Sequence, residues 1–213
     1  IQMKAKIAPN GWTSIGDPHT ITDANKIAGS AVVSVLSAPI EGLTGFVTDA
    51  IIIIKATVTD IAGNATDWAE STNKLTVDVT RPTITSATST TDAGLYNTAD
   101  AINTTLGFTE AVTLSGGDLT ITLNTTGTST VAEADLSSAS TASTTYTVSS
   151  GEATADKTPA MLTVSNVNVT AGELKDGAGN PMGLPVTSIA SNIADIKTIE
   201  VDGIDPTKMA IQS

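Results

Sequence analysis

The phrase Asp60-Ile-Ala-Gly-Asn64 recurs as Asp176-Gly-Ala-Gly-Asn180, and a second pair of matching phrases lies downstream. Leu75-Thr-Val-Asp-Val-Thr-Arg-Pro-Thr83 corresponds to Ile199-Glu-Val-Asp-Gly-Ile-Asp-Pro-Thr207. The same order twice, a strand, an Asp-x-Ala-Gly-Asn turn, a strand and then Val-Asp-x-x-x-Pro-Thr, means a chain of repeated units. Asp78 and Asp202 stand 124 residues apart, which sets the length of one unit. Pro82 and Pro206 cannot donate to a strand ladder and force extended geometry on the residue before them, so each marks a short, stiff joint. Boundaries near residues 80 and 204 follow. Residues 1–80 are one module, incomplete at its N-terminus; residues 81–204 are a larger, complete one. Residues 205–213 are the first strand of a following module or a linker.

Between these landmarks the pattern is that of strands. Ile51-Ile-Ile-Ile-Lys-Ala-Thr-Val-Thr59 is β-branched throughout. Lys74-Leu-Thr-Val-Asp78, Leu119-Thr-Ile-Thr-Leu123, Thr145-Tyr-Thr-Val148 and Met161-Leu-Thr-Val164 alternate with period two. Gly- and Asp-rich clusters such as Ser115-Gly-Gly-Asp118 and Ser150-Gly151 separate them. Residues 132–136 form a turn or a short helix at most, and the Ser/Thr-rich stretch 124–144 reads as a loop. Short strands at this spacing predict an all-β chain of antiparallel β-sandwiches.

The charge balance narrows the partners. The chain has 22 Asp and Glu against 10 Lys and Arg, a net charge of −12. Nucleic acid needs a basic footprint, so it is not an expected partner. Anionic membrane surfaces are poor partners for the same reason, and no apolar run is long enough to span a bilayer. Hard cations, which bind carboxylate and carbonyl oxygen, are compatible. The chain has no cysteine, which excludes disulfides, zinc thiolates and a cysteine nucleophile. Ile1 to Ile7 reads like the middle of a strand, and the expectation is a fragment whose targeting signals lie outside it.

These phrases resemble the bacterial Ig-like repeat domains of large adhesins and surface-layer proteins. In that family a module ends with a phrase like "VTDxAGN" and then "LTVDxTxPT", matched by Val58 to Asn64 and Leu75 to Thr83. The second module is similar to a longer variant. It opens with Ala87-Thr-Ser-Thr-Thr-Asp-Ala-Gly-Leu-Tyr96 and Gly107-Phe-Thr-Glu-Ala-Val112, and closes with Ala171 to Asn180. The resemblance covers most of residues 50–204 and implies tandem immunoglobulin-like antiparallel β-sandwiches on an extracellular cell surface.

The resemblance also implies calcium at the joints between modules. Candidate ligands are Asp78, Asp202 and Asp205 in the joints, and Asp60, Asn64, Asp176 and Asn180 in the repeated turns. Asp92, Asp100 and Glu110 are candidates from the second module's own loops. The competing reading of the same residues is structural: Asp and Asn close turns through side-chain hydrogen bonds with no metal. Arg81 stands where the second copy has Asp205, so a cation is replaced there by a side chain paired with Asp78.

Catalysis has little to work with. His19 is the only histidine and lies in a turn-like phrase, Gly16-Asp-Pro-His-Thr20, so a Ser-His-Asp triad has one possible base. No phosphate loop or metalloprotease helix is present, and no enzyme activity is expected. Asn64, Asn103, Asn124 and Asn168 open N-x-Ser/Thr sequons. Trp12, Trp68, Tyr96 and Tyr146 are the ring candidates for a sugar platform, and core or edge packing is the alternative for each. The expected role is a structural surface-layer component that contacts neighbouring Ig-like modules or copies of itself, with a cell-surface glycan as a further partner. The alternatives are a stalk, spacer or binding region of an adhesin, and an ancillary domain of a secreted hydrolase.

Overall fold

A computed structural model describes residues 1–68, 70–156 and 160–206. The chain is all-β, with antiparallel sheets and a few short helices. It divides into two compact units, Ile1–Thr80 and Arg81–Ser213. Most of the expected third segment, residues 207–213, lies outside the described residues.

The first unit is one five-stranded sheet. Its elements are β1 (Gln2–Ile7), β2 (Thr13–Ser14), α1 (Asp23–Ala28), α2 (Ser37–Glu41), β3 (Ile51–Thr59), β4 (Ala65–Asp67) and β5 (Leu75–Thr76). The order is β2-β1-β3-β4, with β5 paired to the start of β3. The register Ala5↔Ile54 and Ile7↔Ile52 puts apolar residues on one face, and Lys4↔Lys55 and Gln2↔Thr57 put polar ones on the other. Ile15, Leu43 and Val77 complete the buried cluster, with Val35, Ile40 and Phe46 packed against it. Loops and helical turns of residues 16–50 therefore cover the inner face where a sandwich carries a second sheet. The local reason is legible: Thr22 and Asn25 form a capping box for α1, and Gly29 ends it in the left-handed region at φ 67°. On the outer face Lys6 and Lys55 lie 4.3 and 4.5 Å from the Trp12 ring centroid, so this Trp is held by two cations.

The second unit comprises β6 (Ile84–Thr88), β7 (Gly94–Tyr96), β8 (Ala101–Ser115), β9 (Leu119–Leu123) and β10 (Thr128–Val131). There follow a 3-10 turn (Glu133–Asp135), β11 (Ala139–Thr147), β12 (Val164–Val169), β13 (Glu173–Asp176), α3 (Ile193–Ile196) and β14 (Ile199–Val201). β8 is the spine. β11 runs along one side of it, while β6 and β13 share the other. A second sheet has the order β10-β9-β12, and β14 pairs in parallel with β7. Ile102, Leu106, Val112 and Leu114 of β8 meet Leu119, Ile121 and Leu123 of β9 in one core, joined by Val167, Leu174 and Ile199. Gly172 has φ 79°, and a Cβ there would lie 1.8 Å from the Ser115 carbonyl, so only glycine lets these two turns cross.

Two expectations need correction. Residues 124–144 are not a loop: Ser129 and Val131 point inward and Thr128 and Thr130 outward, so the stretch forms β10, the 3-10 turn and the start of β11. The strand expected at Met161 to Val164 begins only at Val164. The Asn124 side chain replaces the ladder there, donating to the Met161 carbonyl at 2.9 Å and accepting from the Thr163 N–H at 3.0 Å.

Two polar features of this core set its stability. Thr104 Oγ1 and Ser129 Oγ are buried with no hydrogen-bond partner among the described residues, a cost the apolar core must offset. Thr104→Val keeps the shape and removes the hydroxyl, so unfolding should show a gain of about 1 kcal/mol. An equal or lower melting point would contradict this.

The Tyr146 phenol, 1% exposed, donates to Glu152 Oε2 at 2.5 Å and lies 3.2 Å from Thr125 Oγ1. Burial and then the Glu152 hydrogen bond raise its pKa above the ordinary 10.0. A raised phenol pKa stabilises the fold fully below pH 10.0, and this contribution is lost as pH rises from there towards the folded pKa. Stability measured from pH 8 upward should fall beyond about pH 10, and Tyr146→Phe should flatten that limb. The same alkaline slope in both proteins would refute the assignment.

Candidate functional site

The repeated phrase is a repeated piece of geometry. In the first unit the Asn64 N–H donates to Asp60 Oδ1 and Asn64 Nδ2 to Asp60 Oδ2, each at 2.8 Å. In the second the Asn180 N–H donates to Asp176 Oδ1 and Asn180 Nδ2 to Asp176 Oδ2, again at 2.8 Å. The backbone closes both loops: the Asp60 N–H donates to the Asn64 carbonyl, and the Asp176 N–H to that of Asn180. The fourth residue is glycine in both because φ is 91° at Gly63 and 96° at Gly179. Asp supplies two acceptors, Asn a main-chain and a side-chain donor, and Gly the backbone reversal, which accounts for every shared letter of the phrase except the Ala.

The two loops differ in burial. Asp60 is exposed, and its Asn64 side-chain hydrogen bond holds its pKa below the ordinary carboxylate value. Asp176 is 6% exposed. Burial alone would raise its pKa, but the Asn180 side chain and the N–H groups of Asn180, Gly179 and Ala178 outweigh this, so it too stays low. A charged carboxylate is thus kept in a nearly dry place by N–H donors.

Glu110 is brought to this loop by a defect in β8. Ile102, Thr104, Leu106, Phe108, Val112 and Leu114 are buried at every second position, and Glu110 takes the remaining place in that series. The register with β11 passes from Gly107↔Thr141 to Val112↔Ala139, so residues 108–111 of β8 stand opposite Ser140 alone. β6 ends its pairing at Phe108 and β13 begins at Val112, which leaves Glu110 at the gap between them. A bulge of this kind re-aims a side chain and interrupts the ladder. A carboxylate oxygen of Glu110 lies within 4.8 Å of one of Asp176. With Ca–O distances of about 2.3–2.6 Å, two oxygens on one Ca²⁺ are separated by at most about 5 Å. The pair therefore fits one hard cation, with Asn180 beside it.

Asp78 and Asp202 close matching turns: Asp78 Oδ1 accepts the Thr80 N–H at 3.0 Å, and Asp202 Oδ1 accepts the Ile204 N–H at 3.2 Å. Asp205 is exposed. Asp100 accepts the Asn97 N–H at 2.9 Å and precedes the start of β8, roughly 30 Å along the strand from Glu110. Asp92 is exposed, and its carbonyl accepts the Tyr96 hydroxyl. Asp60 and Asn64 bond each other, as above. His19 pairs through its backbone with Ile1, and no hydrogen bond joins its Nε2 to another described residue. Reading the sequence alone missed the Glu152–Tyr146 contact, which spans six residues and follows no periodic pattern. The signal for Glu110 was present, as one acid interrupting an otherwise uncharged, mainly apolar alternation.

A depressed folded pKa stabilises the protein above the unfolded value of 3.8, and this contribution is lost as pH falls through the lower folded value. Stability of the wild type should therefore drop below about pH 4. Asp176→Asn should flatten that limb and lose about 1–3 kcal/mol at neutral pH by leaving buried donors poorly matched. An unchanged acid limb would contradict the role given to this carboxylate. No protein-family model, curated protein or solved structure matches this chain, so its functional reading rests on the geometry above.

Proposed function

We propose that the chain is a structural, non-catalytic part of a cell-surface protein, with an immunoglobulin-like sandwich as its second unit, stabilised by Ca²⁺ at the Asp176 turn. The observation that carries this reading is that one closed Asp-x-Ala-Gly-Asn turn is built twice, with the same donors, acceptors and glycine. A device repeated for its shape belongs to a scaffold. In the second unit, two antiparallel sheets sharing one core support the sandwich reading. Glu110 and Asp176 are the residues that would hold the ion, and Ca²⁺ would supply neutralisation of two carboxylates held close together. A surface-layer component is favoured over an adhesin stalk because the broad sheet of the second unit has an outer face rich in Thr and Ser, suited to lateral contact.

Thermal unfolding with millimolar Ca²⁺ and with chelator tests this reading. A ligand bound only by the folded state adds roughly 2.7 kcal/mol at a hundredfold excess over Kd. The melting point should rise with Ca²⁺ in the wild type and stay fixed in Glu110→Gln. A wild type indifferent to Ca²⁺ would overturn the metal centre.

A further inference from the structure

We propose that the outer face of the β6-β8-β11-β13 sheet is the surface through which the second unit pairs with the same face of a second copy of this chain. This inference deepens the surface-module reading and rests on it. Along these strands the outward residues include Thr88, Asn103, Thr105, Ser143, Thr145 and Thr147, and none carries a charge. Thr105 Oγ1 and Ser143 Oγ lie 2.8 Å apart, so the cross-strand hydroxyls share one surface. Among the described residues of these strands the charged outward ones are Glu173 and Lys175 of β13, which pair with each other.

This face is exceptional in its setting. Residues 81–213 contain 14 Asp and Glu against five Lys and Arg. Apart from Glu110 in β8 and Glu200 in β14, the carboxylates stand mostly in turns and at strand ends, as with Asp92, Asp118 and Glu152. Two copies of so acidic a unit repel each other unless the contact keeps carboxylates at its rim, and depletion of charge from the centre is what marks interface cores. Thr and Ser also have few rotatable bonds, so ordering them on contact costs less than ordering Lys or Glu.

The area supports a weak pair. The four strands are 5, 15, 9 and 4 residues long. At about 3.4 Å rise and 4.8 Å spacing they present roughly 500 Å². Two such faces bury about 1,000 Å², the lower bound for a specific contact. The opposite sheet, with strands of 5, 4 and 6 residues, offers less than half of this. A face of this size holds copies together through repetition in an array more than through a single tight pair.

The test is sedimentation equilibrium of the full chain over a wide concentration range, with variants at the exposed Thr145. The wild type should associate weakly. Thr145→Glu and Thr145→Lys should each weaken association at least tenfold, with melting points near the wild type's. Mixing the two variants should restore association, because opposite charges then face each other across the two-fold. A wild type that stays monomeric, variants that associate like the wild type, or a mixture without rescue would each overturn the proposal. The result is independent of the metal centre: association without a Ca²⁺ response in the melting point counts against the centre alone, and a Ca²⁺ response without association counts against this face alone.

Discussion

The hydrogen bonds that close an aspartate onto an asparagine four residues later are the interaction on which the recognisable features of this chain depend. They let a carboxylate terminate a strand without water. In the first unit that is a convenience, because Asp60 is exposed. In the second it is a requirement, because Asp176 ends β13 against the core side of β8 and is almost wholly buried. An ion there without donors would cost several kcal/mol. The loop supplies N–H groups from Ala178 and Asn180 together with the Asn180 amide, and the carboxylate stays charged. A second carboxylate, Glu110, then faces this charge, which makes the place suited to a cation.

β8 explains how those groups meet. A fifteen-residue strand that changes partner midway needs an irregularity where β6 stops and β13 starts. The bulge at residues 108–111 is that irregularity, and it turns a position that would otherwise hold an aliphatic side chain into one for Glu110. The acid is thus tied to the topology: it stands at the one place along the inward row where the ladder is open.

Much of this was legible in the residues themselves. The β-branched run of β3 and the alternating run of β9 appear where their patterns put them. The repeated turn was legible because its chemistry is local, since Asp, Gly and Asn act within five residues. What escaped depends on contacts distant in sequence. The capping of α1 and the packing of Val35, Ile40 and Phe46 onto the first sheet have no strand-like period. The parallel pairing of β14 with β7 joins residues about a hundred apart and leaves no trace in either segment. Asn124 stood in for a strand with its side chain, which alternation cannot reveal. Of the ten acids and amides considered as ligands, the second unit gathers Glu110, Asp176 and Asn180 at the bulge of β8, while Asp100 stands just before the start of that strand.

The charge distribution gives the mechanical reading its content. The second unit keeps most of its carboxylates in turns and at strand ends and leaves the broad sheet face largely to hydroxyls, so repulsion between copies is concentrated at the rim of that face. The central claim is that Glu110 and Asp176 form a cation site within a structural module. Calorimetric titration of Ca²⁺ into the metal-free chain tests it most directly. The account predicts one saturable binding event that disappears in Glu110→Gln while the fold persists. Absence of binding in the wild type, or equal binding in the variant, would contradict it.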